Sequence, residues 1–198
     1  MPIESDRDYH ILSDAFERHA ATIEKSLSSV MPAVQQGADM LLDVLKKNRT
    51  LLICGNGGSA ADSQHFAAEW ICRYREDRPP LSAIALSTDT SALTAIGNDY
   101  SFEDIFSRQV EALGAEGDVL VAFTTSGQSK NILKAIKKAK AKNMAVIALT
   151  GERGRDIGSI ADIAVVIPSS ETARIQEVHQ VIYHAWCEYI DKWYSMNR

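Results

Sequence analysis

Only three cysteines occur among the 198 residues, and no two stand in a CxxC pair. That speaks against disulfides and cysteine metal ligands, and a reducing, cytoplasmic setting fits. Cys54 falls in an apolar run, and Cys72 and Cys187 fall in helical patterns. All three are therefore expected as buried free thiols. No apolar run approaches the ~20 residues needed to cross a bilayer. The opening segment MPIESDRDYH lacks the apolar core of a secretory signal. Basic excess is also missing: the formal net charge is −5, which argues against a general nucleic-acid or acidic-membrane surface. There is no internal repeat at a fixed period and no low-complexity stretch. No lysine follows the glycines of Gly55–Ser59, so a P-loop is excluded.

What remains is an ordinary globular composition, 45% hydrophobic and 24% charged, enough for one core without staples. Asp8 to Lys47 carries apolar residues at helical spacing (Ile11, Leu12, Ala15, Phe16, Ile23, Leu27, Val30). Pro32 is expected to open a second helix there, because proline is accepted in a first turn. Residues 1–48 are thus read as a helical arm for packing and oligomerisation, and 49–198 as one globular unit. Beyond Lys47 the rhythm changes to short apolar runs: Leu51–Cys54, Ala83–Leu86, Val119–Phe123, Val146–Leu149 and Ile163–Ile167. Each is the pattern of a strand buried on both faces of a parallel sheet. Helices are expected near Ala60–Arg73, Phe102–Leu113, Ser129–Lys142 and Thr172–Tyr194, with a short one near Arg155–Ile160. The alternation predicts an α/β, doubly wound three-layer sandwich on a five-stranded parallel sheet, with ligands at one sheet edge. The basic run Lys134, Lys137, Lys138, Lys140, Lys142 reads as a solvated helix face.

Two strand-loop-helix units carry the chemistry. The first, TLLICGNGGSAADSQHFAAE over Thr50–Glu69, joins a buried strand to a small-residue loop and a helix. Loop amides at a helix N-terminus favour an anion. His65 and Glu69 stand at i and i+4 and share one helix face. The second unit places Thr124-Thr125-Ser126-Gly127-Gln128-Ser129 ahead of another helix. A helix N-cap accounts for one hydroxyl, Ser129, but not for four. Hydroxyls and loop amides together can hold a phosphate without a lysine. Gly55-x-Gly57-x-x-Ala60 also matches a dinucleotide fingerprint, but no acidic residue ends the next strand where a ribose would need it. A nicotinamide or flavin cofactor is therefore disfavoured.

These motifs, with LTAIGNDY, FSRQVEALGAEGDVL and ARIQEVHQVIYH in the same order and spacing, resemble the bacterial phosphoheptose isomerases of the sugar isomerase (SIS) family. The resemblance covers nearly the whole chain from about Ala15. It implies the SIS fold, a homotetramer with sites between subunits, a sedoheptulose 7-phosphate substrate and one zinc ion per subunit. It also implies roles for particular residues. Asn56, Gly57 and Gly58 would line the sugar-phosphate pocket, and Asn98 and Asp99 would contact substrate. Thr124, Thr125, Ser126 and Ser129 would hold the phosphate. His65, Glu69, Gln176 and His184 would surround the metal. Glu69, with Gln176, would also touch substrate, and Glu69 and His184 would be catalytic.

The residue types suit that reaction. Moving a proton between two carbons of an open-chain sugar takes a base and a group to polarise the carbonyl, and a carboxylate with an imidazole suffices. Zinc can polarise the oxygens. Whether Glu69 is base or ligand stays open. Gln176 and His184 lie eight residues apart, about 12 Å along a helix axis. His179 is either a second acid–base group or a packing residue. The alternatives are a non-catalytic SIS adaptor that binds a replication initiator, and a sugar-phosphate sensor. The adaptors tend to lack the carboxylate and the second histidine, and the sensors usually add a DNA-binding domain.

Overall fold

The computed structural model describes residues 5–197. Five strands form one parallel sheet: β1 (Leu51–Cys54), β2 (Ala83–Ala85), β3 (Val119–Thr124), β4 (Ala145–Gly151) and β5 (Ile163–Ile167). Their order is β2-β1-β3-β4-β5, with register pairs such as Leu52↔Leu120 and Val121↔Ile147. The central strands β1 and β3 are buried at every residue, while the edge strands β2 and β5 alternate. A strand covered on both faces has no polar side to show, hence the continuous apolar runs.

The helices are α1 (Ser5–Ser29), α2 (Met31–Lys46), α3 (Gly58–Ile71), α4 (Thr90–Asp99), α5 (Ser107–Leu113), α6 (Lys130–Ala141) and α7 (Thr172–Met196). Leu51, Ile53, Val121, Phe123 and Ile147 face α2, α3 and α7 in one core. Leu52, Cys54, Leu120, Ala122 and Val146 face α5 and α6 in the other. Alternate residues of each strand thus feed opposite cores, as a period of two demands. Since α3 and α7 each follow a strand of one parallel sheet on one face, they lie side by side and run the same way. The chain reverses its direction of travel across the sheet between β1 and β3. Loops at that switch point open a crevice beyond the carboxyl ends of the strands.

The structure alters several expectations. Pro32 does sit in the first turn of α2, and α2 packs into the rest of the chain: Val34, Ala38, Leu41, Leu42, Val44 and Leu45 belong to the core, and the Trp186 indole donates to the Val34 carbonyl at 2.8 Å. The packing therefore crosses residue 48 without a boundary. Phe102–Leu113 is not one helix but a short 3-10 turn followed by α5, and α4 was not anticipated at all. The segment near Arg155–Ile160 is a longer 3-10 stretch, Glu152–Ser159. Cys54 and Cys187 are buried, but Cys72 is exposed where α3 ends. The lysines of α6 are not simply solvated: Lys134 pairs with Glu103 and Asp104, Lys138 with Glu111, and Lys140 with Asp162.

Candidate active site

Two loops and one helix start enclose a cavity of about 310 Å³ at the switch point. Asn56 to Ser59 span the loop after β1 and the first residues of α3, Thr124 ends β3, Thr125 and Ser129 come from the loop beyond it, and Thr172 and Gln176 come from the first turns of α7. The loops are tied together by a reciprocal amide pair. The Asn56 amide donates to Asn131 and the Asn131 amide donates to Asn56, both at 2.9 Å. Gly58 leaves room for Gln176, whose amide atoms would stand 2.8 Å from a Cβ built there. The Gln176 Nε2 reaches Ser59 Oγ at 3.4 Å.

The second loop shapes itself with its own hydroxyls. Thr124 Oγ1 accepts from the Gly127 amide at 3.2 Å, and Ser126 Oγ accepts from the Gln128 amide at 3.2 Å. Ser129 occupies the N-cap of α6 yet makes no side-chain cap bond. Its hydroxyl is instead among those lining the cavity. Ser126 does not line it. The Ile132 amide is taken by Asn131 Oδ1 at 2.9 Å and the Leu133 amide by the Ser129 carbonyl; the Lys130 and Asn131 amides ahead of them and the positive end of α6 favour a phosphate at this position.

Further along α3 and α7, three more expected residues come together. His65 Nε2 lies 3.1 Å from Glu69 Oε1, and the His65 and His184 rings meet edge to face at 5.0 Å between centroids. Tyr183 Oη lies 3.0 Å from His65 Nδ1. Burial raises the Tyr183 phenol, with the Asp62, Cys187 and Glu69 charges adding to it. A phenol that keeps its proton can donate to Nδ1, which leaves the ring hydrogen on Nε2 facing Glu69. His184 Nε2 is buried and has no hydrogen-bond partner among the described residues. Burial and neighbouring His65 lower its pKa, with Glu69 opposing, so the neutral imidazole is favoured. The His65 side chain is 42% exposed and that of Glu69 23%, so this corner opens to solvent.

The other expected residues stand elsewhere. Gln176 lines the loop cavity, where it reaches Ser59, and no hydrogen bond among the described residues joins it to His65, Glu69 or His184. Asn98 and Asp99 are exposed at the end of α4, where the Asn98 amide donates to Asp99 at 2.8 Å. Neither lines the cavity. Among the described residues no three His, Cys, Asp or Glu side chains are already arranged around a metal position. The donor chemistry nevertheless suits zinc: two imidazoles and a carboxylate on facing turns, one imidazole nitrogen lacking any partner.

Sequence reasoning passed over Asp62, Tyr183, Tyr74 and Asn131. Asp62 lies one turn before His65 and its Oδ2 is buried without a partner. Burial raises its carboxyl to about 6, opposed by His65. Its place at i−3 from His65 was a legible signal. Tyr74 packs on His184 at 5.4 Å between centroids from a loop with no periodic pattern to flag it.

His179 sits apart, fully buried against Phe123 with neither ring nitrogen hydrogen-bonded. Burial pushes it down to about 3, opposed by the Thr150 backbone. It is neutral at working pH and sealed from the cavity, so packing is its role. The folded chain takes no proton there until about pH 3, whereas the unfolded chain takes one near 6.5. Acidification across that window thus favours unfolding. The stability of the native chain relative to His179→Phe is expected to fall by about 1.4 kcal/mol per pH unit between the two values. Asp62 acts with the opposite sign, but is common to both proteins. Denaturant melts at pH 7, 5.5 and 4 read the difference; a constant gap would mean that His179 titrates normally.

The SIS domain family model matches residues 15–151. Phosphoheptose isomerase of Helicobacter pylori (strain ATCC 700392 / 26695) is 46% identical over 186 residues, 94% of this chain and 97% of that protein. Phosphoheptose isomerase of Campylobacter jejuni subsp. jejuni serotype O:6 is 55% identical over 159 residues, 80% of this chain and 86% of that protein. The solved structure of phosphoheptose isomerase from Neisseria gonorrhoeae matches with a TM-score of 0.88 at 44% identity, covering 93% of this chain and 98% of that one. The switch-point cavity and the α3–α7 cluster therefore sit in a chain whose kin are known over almost its full length, and it belongs to the SIS-domain phosphoheptose isomerase family.

Proposed function

We propose that this protein is an aldose–ketose isomerase that converts sedoheptulose 7-phosphate to D-glycero-D-manno-heptose 7-phosphate, for nucleotide-heptose (lipopolysaccharide core) synthesis. One observation carries the reading: α3 and α7 join the two regions, because their first turns line the hydroxyl- and amide-lined cavity and their later turns carry the His65, Glu69 and His184 cluster. Thr124, Thr125 and Ser129 with the first amides of α6 hold the phosphate. Asn56, Gly57, Gly58 and Gln176 line the chain of hydroxyls. Glu69 takes a proton from C1 of the open-chain ketose to give an enediol(ate), then returns a proton to C2. His184, neutral and unpartnered, moves the remaining proton between O1 and O2. No atom is gained or lost.

Zinc, one per subunit, would be held by His65, Glu69 and His184. Bound there it supplies polarisation of the sugar oxygens. A carboxylate committed to a metal is a weaker base, so the two roles of Glu69 separate by experiment. The exposed apolar residues of α1 (Ile11, Leu12, Phe16, Leu27) and Val181 of α7 support a homotetramer. The open side of the cluster supports sites completed by a neighbouring subunit. No described helix is long and apolar enough to cross a membrane, and a cytoplasmic location suits a sugar-phosphate substrate. The adaptor reading has no support in the site, since Glu69 and His184 are both present and adjoining.

Purified protein is expected to turn over sedoheptulose 7-phosphate, faster with added zinc than after chelation. Equal turnover in both conditions would leave Glu69 as base alone. No turnover in either, with tight binding of an initiator protein, would favour the adaptor.

A further inference from the structure

The end of α3 is fastened by a buried ion pair that the reaction above does not use. Arg78 Nε lies 2.7 Å from Asp191 Oδ1, with the two side chains 0% and 1% exposed. The other arms of the guanidinium reach back to α3. Nη2 donates to the Glu69 carbonyl at 2.8 Å, and Nη1 donates to the Trp70 carbonyl at 2.9 Å. These are among the last carbonyls of a helix, which have no partner within it. A cation there satisfies them and complements the helix dipole.

Asp191 closes the arrangement from α7. Its Oδ2 accepts from the Arg75 amide at 2.6 Å and from the Glu76 amide at 2.9 Å. Burial alone would raise this carboxyl; the two amides and the guanidinium outweigh it and hold it low. Asp191 stands two turns after His184 on the same helix face. Its grip on Arg75 also fixes the preceding residue, Tyr74, whose ring packs on His184. One ion pair therefore restrains the backbone beneath Glu69 and the ring against His184.

We infer that Arg78 and Asp191 are positioning residues that set Glu69 against His184 for the isomerisation proposed above, on which this inference rests. A lysine at 78 would keep the charge but has no fork to span a carboxylate and two carbonyls. A clamp that only stabilised the fold would affect melting and leave the chemical step of the folded enzyme alone.

Turnover of sedoheptulose 7-phosphate by the wild type tests the reaction by itself. With that activity present, Arg78→Lys is expected to lower kcat by about tenfold or more, with KM within about threefold, at a temperature where the variant is folded. In a Glu69→Gln background the same change is expected to alter the residual kcat by less than about twofold, because the group being positioned is gone, while its effect on melting persists. Asp191→Asn keeps the shape and is expected to give the same pattern more mildly; it serves if Arg78→Lys does not fold. Folded variants with kcat near wild type overturn the inference and leave the reaction standing. An equal loss with and without Glu69 does the same. A wild type without turnover overturns both.

Discussion

Glu69→Gln is expected to lower kcat by about 10²–10⁴-fold, the span usual for loss of a positioned general base. The change keeps length, shape and an oxygen to accept from His65, and removes only the charge and the ability to hold a proton. Glu69 is partly exposed, and its hydrogen bond to His65 lies at a solvent-facing corner. Little stability rides on such a contact, so the melting temperature is expected to stay within a few degrees. The combination matters: an inactive protein that melts normally isolates chemistry from folding. Steady-state kinetics with sedoheptulose 7-phosphate beside a thermal melt gives both readings. Turnover within tenfold of wild type would remove Glu69 from the chemical step, whether as base or as metal ligand.

Gly127→Ala attacks the phosphate end. Gly127 has φ +68°, a left-handed backbone that a Cβ makes costly, and a Cβ there would overlap the Cα of Gly154 and approach its carbonyl atoms at 3.2 Å. Both sides of the clash are backbone, so no side chain can swing away. The loop after β3 must separate from the 3-10 stretch after β4, or the φ must change. Either disturbs the Gly127 amide on Thr124 Oγ1 and displaces the hydroxyls flanking the phosphate position. Strain of this kind costs about 1–3 kcal/mol, which for a chain of this size lowers the melting temperature by about 2–4 °C per kcal/mol. The larger effect is expected in KM, raised by about tenfold or more, since each lost charge-assisted hydrogen bond to phosphate is worth about 1.5–3 kcal/mol. Inorganic phosphate as a competitive inhibitor should weaken in parallel. An unchanged KM would place the phosphate elsewhere.

Much of the fold was readable because burial leaves an imprint on sequence. β1 and β5 have the limits that their apolar runs suggest, and β3 and β4 only gain residues at their ends. α4 was missed for the converse reason. Thr90–Asp99 has no fully buried residue, and its apolar stripe is only Leu93 and Ile96, half-buried against the core and too short to mark a helix by its period. Its one local signal was Asp89, which caps the helix by accepting from the Ala92 amide at 2.9 Å. Cys72 misled because a helical pattern says which residues share a face, not where the helix stops. The parts of the site were legible where chemistry and spacing coincide, as in His65 and Glu69 one turn apart. Contacts between distant segments were not. Nothing in sequence joins Asn56 to Asn131, Tyr74 to His184 or Arg78 to Asp191; the first pair exists because β1 and β3 are neighbours, and the other two because the sheet order sets α3 beside α7.

The Asn56–Asn131 pair has a thermodynamic consequence. It joins the two loops before any sugar arrives, so they behave as one preformed body. Ordering flexible loops is a main cost of ligand association, and a pocket that has already met it retains more of its contact energy as affinity. Adaptability is then left to the open, solvent-facing side of the pocket, where the reacting carbons would lie.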